Sequence, residues 1–245
     1  TYQGQGPGEI TIIGHVGIDE TNRRFFVSDH GKLKIFAYDL DSVLTTPEYQ
    51  PSVKIDMKKK LFPDDYLYLN DTLCIARIIE PVGNNDYKPS VARWNMATGE
   101  INPMPYEYPD LKKVRFIYAA SAEHQLYVQC YTQYDLMTIC DFNGNLKCNI
   151  YGPKWVNEKT QTQHYSLGVE FCGDKILALY SGGDHRTDAY YPTKFLVFDL
   201  NGNYLKTLET GYMITDFCYD KENNRLIINL NDEIQFAYLD LEGII

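Results

Sequence analysis

A unit of four short strands recurs along the whole chain and limits its possible folds more than any other property of the sequence. Its hairpins are clearest in VFDLNGNYLKTL at 197–208 and ICDFNGNLKCNI at 139–150. In both segments an apolar strand is followed by Asp, an apolar residue and Asn-Gly-Asn, and Asn-Gly supplies the positive φ angles of a tight turn. Weaker copies lie at 36–43, 93–101 and 237–244, where Asp-Ser, Thr-Gly and Glu-Gly provide the turn chemistry. The sequence thus contains five predicted hairpins.

A second recurring unit, consisting of a strand, a polar turn and an apolar strand, precedes each hairpin. The copies at 17–29 and 218–230 align without a gap, and those at 67–79, 118–130 and 168–180 differ only in turn length. Four strands in a repeat of about 40 to 50 residues is the period of a β-propeller blade. A β-sandwich also has many short strands, but it does not explain why one strand order recurs five times. The sequence therefore predicts an all-β propeller with five legible blades.

The strand pattern also predicts which strands are innermost and how many domains the chain forms. Inner strands are expected near 13–19, 66–71, 115–121, 166–172 and 213–219. The composition, with 21 Tyr and 11 Phe, suits half-buried strands, and little helix is expected. The most polar linkers fall between strands of the repeat and not between blocks of repeats. We therefore expect a single propeller domain over residues 1–245.

Charge, apolar runs and cysteine spacing exclude several classes of partner and site. The chain has 23 basic and 33 acidic residues, and its net charge of -10 repels phosphate backbones, which argues against nucleic acid. Its apolar runs are far shorter than the roughly 18 residues that cross a bilayer, so no transmembrane segment is expected. The six cysteines form no C-x-x-C pair or zinc pattern and are dispersed over different blades. The sequence predicts no disulfide.

The segment GQGPGEI at 4–10 carries a G-x-G-P-G-E motif followed by a blade. In this motif, and in the later repeats with their D-x-x-G hairpins, the chain resembles the TolB-like six-bladed β-propeller proteins of Gram-negative gut bacteria. The resemblance implies a secreted or lipid-anchored envelope protein, located in the periplasm or at the cell surface. Only five blades can be read, and the last hairpin stops at Ile245. Either the first blade of the family lies upstream of Thr1 or this protein closes with fewer blades.

Polar residues on the predicted inner strands are the first candidates for chemistry, because innermost strands line the central channel of a propeller. By repeat alignment His15 and Asp216 occupy the same position in blades one and five, and Glu170 lies on the inner strand of blade four. Such ligands are suited to calcium, as in the lactonase-type propellers that these blades resemble. The alternative is that the channel is filled with water and tolerates polar side chains. No other cofactor is predicted.

Two connections between the second and third strands of a blade are longer than the others, at 80–90 in blade two and 181–193 in blade four. Insertions on one face of a repeat architecture often form a recognition surface. Because every blade repeats one strand order, both are expected on the same rim, flanking the channel. The candidate ligand-binding residues, which combine aromatic, amide, carboxylate and guanidinium groups suited to sugars or peptides, are Asn84, Asn85, Asp86, Tyr87, His185, Arg186, Asp188, Tyr190 and Tyr191. The alternative is solvated turns without a ligand.

No catalytic residue is predicted, because the five histidines lack metal spacing and no G-x-S-x-G elbow occurs. The sequence therefore favours a non-enzymatic recognition or scaffold propeller whose rim loops bind a glycan, a peptide or a protein partner. The alternative class is a metal-assisted hydrolase or lyase that acts in the channel through His15, Glu170 and Asp216.

Overall fold

The computed structural model describes residues 3–6, 8–83, 86–109, 111 and 113–245, apart from the side chain of Asp188. The chain divides into two compact units, Thr1–Glu107 and Tyr108–Ile245. Each unit is built from antiparallel sheets in which strands follow one another in chain order. The expectation of a single domain over 1–245 stays a prediction.

The first unit contains two four-stranded sheets, the first and second blades. Blade one consists of β1 (Ile13–Asp19), β2 (Arg24–Asp29), β3 (Lys34–Asp39) and β4 (Ser52–Asp56), with helix α1 (Leu40–Thr45) between β3 and β4. Blade two consists of β5 (Phe62–Asn70), β6 (Leu73–Gly83), β7 (Asp86–Asn95) and β8 (Glu100–Pro103). In each blade, the first strand of the repeat forms one edge of the sheet and the fourth strand forms the other.

The second unit contains the other three blades. Blade three consists of β9 (Phe116–Ser121), β10 (Leu126–Tyr131), β11 (Leu136–Asp141) and β12 (Leu146–Tyr151). Blade four consists of β13 (Thr162–Cys172), β14 (Lys175–Asp184), β15 (Lys194–Asp199) and β16 (Tyr204–Glu209). Blade five has three strands among the described residues: β17 (Ile214–Asp220), β18 (Arg225–Leu230) and β19 (Phe236–Asp240). The predicted all-β, five-blade propeller arrangement is confirmed, and β1, β5, β9, β13 and β17 overlap the five predicted inner strands.

The prediction of a tight hairpin turn at Asp41-Ser42 is wrong, because helix α1 connects β3 to β4 there. Asp39 is the N-cap of this helix and accepts a hydrogen bond from the Ser42 backbone N at 2.8 Å. A carboxylate at this position satisfies a backbone N–H that the first helical turn leaves without a partner. In the clearest repeats the equivalent aspartates, Asp141 and Asp199, instead close hairpins with a glycine at positive φ. Blade one has no glycine at this turn, so its chain continues into a helical turn.

Apolar cores lie between neighbouring sheets within each unit. In the first unit, Phe26 and Ile35 of blade one pack with Cys74 and Trp94 of blade two. In the second unit, one core joins blades three and four and another joins blades four and five. Complete burial of a large apolar side chain contributes about 1.5–3 kcal/mol, so these cores hold the blades of each unit together.

Two glycines on inner strands allow the next blade to approach. A Cβ at Gly17 of β1 would overlap the ring of Tyr66 on β5. In the second unit, Gly168 of β13 faces the ring of Phe217 on β17 in the same way. The inner strand of one blade therefore lacks a side chain at the point where an aromatic ring of the following blade packs.

All six cysteines are free thiols; four are buried, Cys148 is half-buried and Cys218 is exposed. Burial raises the pKa of the thiols of Cys74 and Cys140, to about 12 and about 11, so these groups remain protonated at neutral pH. In the part of the chain that the structure describes, no helix has the length and apolar character needed to cross a membrane.

Candidate functional site

His15, the predicted inner-strand residue of blade one, lies against two side chains of blade two. Its Nδ1 is 3.1 Å from the Asp65 carboxylate, and its ring centroid is 4.5 Å from that of Tyr66. Burial alone would raise the pKa of Asp65, but the hydrogen bond and charge of His15, with a further contribution from Arg77, hold this pKa below its usual value. His15 therefore pairs with a carboxylate that was not among the candidates from sequence.

Glu170 and Asp216 lie on inner strands β13 and β17, as predicted. Both are close enough to Cys218 to contribute, after burial, to the raised pKa of its thiol. Among the described residues, however, no group of three or more His, Cys, Asp or Glu side chains is placed to hold a metal ion. The described residues therefore provide no set of ligands for the predicted calcium ion.

The blade-two insertion is the end of a long hairpin. Strands β6 and β7 pair from Cys74 and Trp94 out to Gly83 and Asp86. The side chain of Tyr87 is partly exposed near this end, and the Asp86 carboxylate accepts a hydrogen bond from the Tyr87 backbone N at 3.0 Å. The predicted residues Asn84 and Asn85 lie outside the described residues. Their role and the shared rim of the two insertions stay predictions.

The blade-four insertion, which we call the blade-four loop (residues 181–193), has a defined backbone. Strand β14 extends to Asp184, and a 3-10 helix (Asp188–Tyr190) leads back to β15. The Ser181 hydroxyl donates to the Ala189 carbonyl at 2.7 Å and accepts from the Gly183 backbone N at 3.0 Å. A side chain at Gly183 would overlap the Ala189 carbonyl. The two arms of the loop are therefore held close together.

Predicted ligand-binding residues of this loop present several different chemical groups. The Arg186 guanidinium is hydrogen bonded to Asp184 at 2.9 and 3.2 Å, and these bonds lower the pKa of Asp184 to about 2. The rings of Tyr190 and Tyr191 are stacked with centroids 4.2 Å apart. The side chain of Asp188, a further predicted residue, lies outside the described part of the structure. The sequence missed Asp184, because no local pattern distinguishes it from other loop aspartates.

His185 joins the blade-four loop to the segment that connects β12 with β13, which we call the linker (residues 152–161). The backbone N of His185 donates to the Gln161 carbonyl, and its Nδ1 lies 2.8 Å from the same oxygen. The linker in turn is held by Asp135. This residue accepts from the Gly152 backbone N through its carbonyl at 2.8 Å and from the Lys154 backbone N through its carboxylate at 2.9 Å. The loop and the linker thus form one surface, which we call the blade-four surface.

A buried histidine lies beneath the linker. His164 Nδ1 is 3.7 Å from the Asp135 carboxylate and 3.3 Å from the Tyr180 hydroxyl. Burial lowers the pKa of His164, and it outweighs the opposing effect of the Asp135 charge. Sequence analysis did not single out His164 among the five histidines, because its partners are distant in the chain: Asp135 lies just before β11, and Tyr180 lies on β14.

Comparison with known proteins supports the propeller. Residues 1–71 match the model of the DUF5128 family, which is described as a 6-bladed beta-propeller. No curated protein matches the sequence. The match covers the motif at 4–10 and blade one, so membership of the TolB-like family stays a prediction.

Solved structures with similar folds include an extracellular domain of a bacterial protein. The extracellular domain of the putative one component system BT4673 from B. thetaiotaomicron has a TM-score of 0.58 and 11% identity, over 94% of this chain and 28% of that chain. A member of the duf4221 family from Bacteroides vulgatus has a TM-score of 0.63 and 12% identity, over 97% of this chain and 80% of that one. A chain of the nidogen/laminin complex has a TM-score of 0.58 and 12% identity, over 94% and 76%. At these identities the similarity shows the fold alone, and this chain spans about 28% of the length of the BT4673 chain.

Proposed function

We propose that the chain is a non-enzymatic recognition propeller of the bacterial envelope, acting in the periplasm or at the cell surface, and that it binds a glycan, peptide or protein through the blade-four surface. The observation that carries this proposal is the blade-four loop, in which recognition side chains are mounted on a backbone held by its own hydrogen bonds. The structural similarity to the extracellular domain of BT4673 supports the proposed location.

The geometry of the loop favours binding because little order has to be created when a ligand arrives. Immobilising a side chain on binding costs about 0.5–1.5 kcal/mol of binding free energy. A side chain that is already restrained avoids part of this cost. Here Tyr190 and Tyr191 restrain each other by stacking, and Asp184 restrains Arg186. Tyrosine and arginine are also the residue types that dominate binding energy in protein interfaces.

The chemical character of the loop suits a polar, partly planar ligand. The stacked tyrosines offer flat apolar contact area, while Arg186 and His185 lie on the exposed part of the loop. The fixed Arg186 retains guanidinium donors besides those directed at Asp184, since this group carries five N–H bonds. A ligand carbonyl or hydroxyl therefore meets hydrogen-bond donors next to an aromatic surface.

Alanine substitutions in the loop test this function. The protein is screened against an array of immobilised glycans and a random-peptide phage library, and the affinity of a selected ligand is measured for Tyr190→Ala and Arg186→Ala. We expect each variant to weaken binding about tenfold or more, equivalent to about 1.4 kcal/mol. In Arg186→Ala thermal stability should remain nearly unchanged, because the Arg186–Asp184 pair is exposed.

Two matched variants control for the loss of an exposed side chain. Arg23→Ala removes a comparable exposed arginine–aspartate pair, Arg23–Asp41, and Tyr204→Ala removes an exposed tyrosine from β16. Both controls should bind like the unmodified protein. Unchanged affinity in both loop variants, or equal losses in the controls, would refute the proposed role of the blade-four surface.

A further inference from the structure

A cluster of three aromatic side chains lies at the start of the linker in the second unit: Trp155 belongs to the linker, and Tyr108 and Tyr151 lie next to it. The Trp155 ring centroid is 5.8 Å from that of Tyr108 and 5.0 Å from that of Tyr151, with interplanar angles of 67° and 61°. The two tyrosine hydroxyls are 3.2 Å apart, within hydrogen-bond distance. Tyr151 is 50% exposed, while Tyr108 and Trp155 are half-buried. The cluster therefore presents aromatic rings and hydroxyl groups side by side to solvent.

A buried aromatic layer supports this cluster from below. Tyr131 and Tyr134 are each 2% exposed. The Tyr131 ring lies 6.5 Å from that of Tyr108, and the Tyr134 ring lies 6.3 Å from that of Trp155. Because these are edge-to-face or tilted contacts at favourable distances, the outer rings are held in fixed orientations.

The backbone that carries Trp155 is fixed as well. Its backbone N donates to the Gly152 carbonyl at 3.0 Å, in the segment of the linker that Asp135 holds. Asp135 is itself buried, and its carboxylate lies so close to Gly152 that a Cβ there would overlap it. Trp155 is therefore presented by a defined turn.

We propose that Tyr108, Tyr151 and Trp155 form a stacking site for a pyranose ring, and hence that the ligand of the blade-four surface is a glycan. This inference deepens the proposed function and rests on it. The face of an aromatic ring is electronegative and attracts the weakly positive C–H groups on one face of a sugar. The hydroxyl groups at the edge of the sugar then find partners in the Tyr108–Tyr151 hydroxyl pair.

The same hydroxyl pair favours a glycan over an apolar protein surface. A leucine or proline side chain seated on the cluster would remove water from these hydroxyls without offering a hydrogen bond, which is unfavourable for a buried polar group. A sugar replaces that water with its own hydroxyl groups. Lys154 Nζ of the linker donates a hydrogen bond to the Gly182 carbonyl at 3.5 Å, so the linker that carries Trp155 contacts the blade-four loop. A ligand of several sugar units would extend from the cluster to this loop.

Tryptophan fluorescence provides a direct test, because the chain has two tryptophans and the other, Trp94, is 2% exposed in the first unit. The Trp94→Phe protein leaves Trp155 as the single reporter. It is titrated with oligosaccharides of β-glucan, xylan, mannan and galactan, and affinity electrophoresis of the unmodified protein on the same polysaccharides serves as a second measurement. We expect at least one saturable change in emission and matching retardation in the gel.

Variants then locate the contact. Trp155→Ala should weaken glycan binding about tenfold or more, Trp155→Phe should weaken it less, and the Tyr204→Ala control should leave it unchanged. If no oligosaccharide binds by either method, the inference is wrong. Binding of a glycan that Tyr190→Ala weakens and Trp155→Ala does not would overturn the stacking site but leave the proposed function intact. A selected peptide that loses affinity with Trp155→Ala, in the absence of glycan binding, would identify a protein interface instead.

Discussion

Replacing Asp29 by asparagine is expected to destabilise the first unit, because one buried carboxylate fixes two segments of the chain there. Asp29 is 0% exposed and lies at the end of β2. Its Oδ2 accepts a hydrogen bond from the Thr11 backbone N at 2.8 Å. Its Oδ1 accepts from the backbone N of Ile12 at 3.1 Å, of Gly31 at 2.9 Å and of Lys32 at 3.1 Å. The carboxylate thereby ties the chain that follows the glycine-rich motif to the β2–β3 turn.

The magnitude follows from what each substitution leaves without a partner. If the asparagine oxygen takes the place of Oδ1, three bonds remain, but its NH₂ group faces the Thr11 N–H. Loss of one hydrogen bond to a charged acceptor costs about 1.5–3 kcal/mol. Asp29→Ala leaves all four donors without this acceptor and should therefore cost more than Asp29→Asn. The control Asp56→Asn breaks only the exposed Lys34–Asp56 pair and should cost about 1 kcal/mol or less.

The pH dependence gives a second, independent expectation. Burial alone would raise the pKa of Asp29, but the backbone hydrogen bonds outweigh burial and hold this pKa below the ordinary value of 3.8. The unfolded chain then binds a proton at higher pH than the folded protein does. The stabilisation is therefore complete above a pH of about 3.8 and is lost as the pH falls through the lower folded-state pKa. The difference between the unmodified protein and Asp29→Asn should shrink over the same interval.

Urea unfolding followed by Trp94 fluorescence in a Trp155→Phe background measures this free energy, because Trp94 is buried in the first unit. A loss at neutral pH no larger than that of Asp56→Asn would refute the assignment. A difference between the unmodified protein and Asp29→Asn that is constant from neutral to acidic pH would refute the role of the charge.

Two further predictions concern Gly152 of the linker and His164 of β13. Gly152→Ala should weaken glycan binding and alter Trp155 emission, because the added Cβ would overlap the Asp135 carboxylate. Gly83→Ala is the control, because among the described residues a Cβ there meets no atom within 4 Å apart from its chain neighbours. Unchanged emission in Gly152→Ala would show that the linker does not depend on this contact. His164→Gln should flatten the pH dependence of stability below about pH 6.5. Burial lowers the pKa of His164, so this residue contributes stability that is complete above the unfolded value of 6.5 and is lost as the pH falls. Urea unfolding across this range measures the effect, and an equal slope in the variant would contradict it.

The blades could be predicted from sequence because their turns are encoded by neighbouring residues. In blade three, Asp141 accepts hydrogen bonds from the backbone N and side-chain amide of Asn145. Asp199 makes the same two bonds to Asn203 in blade four. A pattern of five residues is therefore enough to specify these two hairpins, and weaker copies of it reveal the blade period. Helix α1 departs from the pattern because its turn lacks the glycine.

The candidate site was only partly predictable because its residues come together through tertiary packing. The blade-four loop was visible as an insertion, so His185, Arg186, Tyr190 and Tyr191 could be proposed from sequence. The aromatic cluster had no such signal, since Tyr108 and Tyr151 are far apart in the chain and 21 tyrosines are spread along it. In a sequence rich in strands, tyrosines of this kind are indistinguishable from those that cover a core.

In the second unit, the groups that hold the backbone of the blade-four surface differ from the groups that we propose contact a ligand. Ser181 and Asp135 bind backbone atoms of the loop and the linker and hold their course. Arg186 projects from the fixed loop and is exposed, while Tyr190 and Trp155 are half-buried. Because substitutions at exposed positions usually change stability by about 0.5 kcal/mol or less, Arg186 can vary without loss of the fold. A new ligand specificity would therefore arise through changes at exposed side chains, while the residues that bind the backbone are retained. Of Ser181 and Asp135, Asp135 is the buried one, so we expect it to tolerate substitution less.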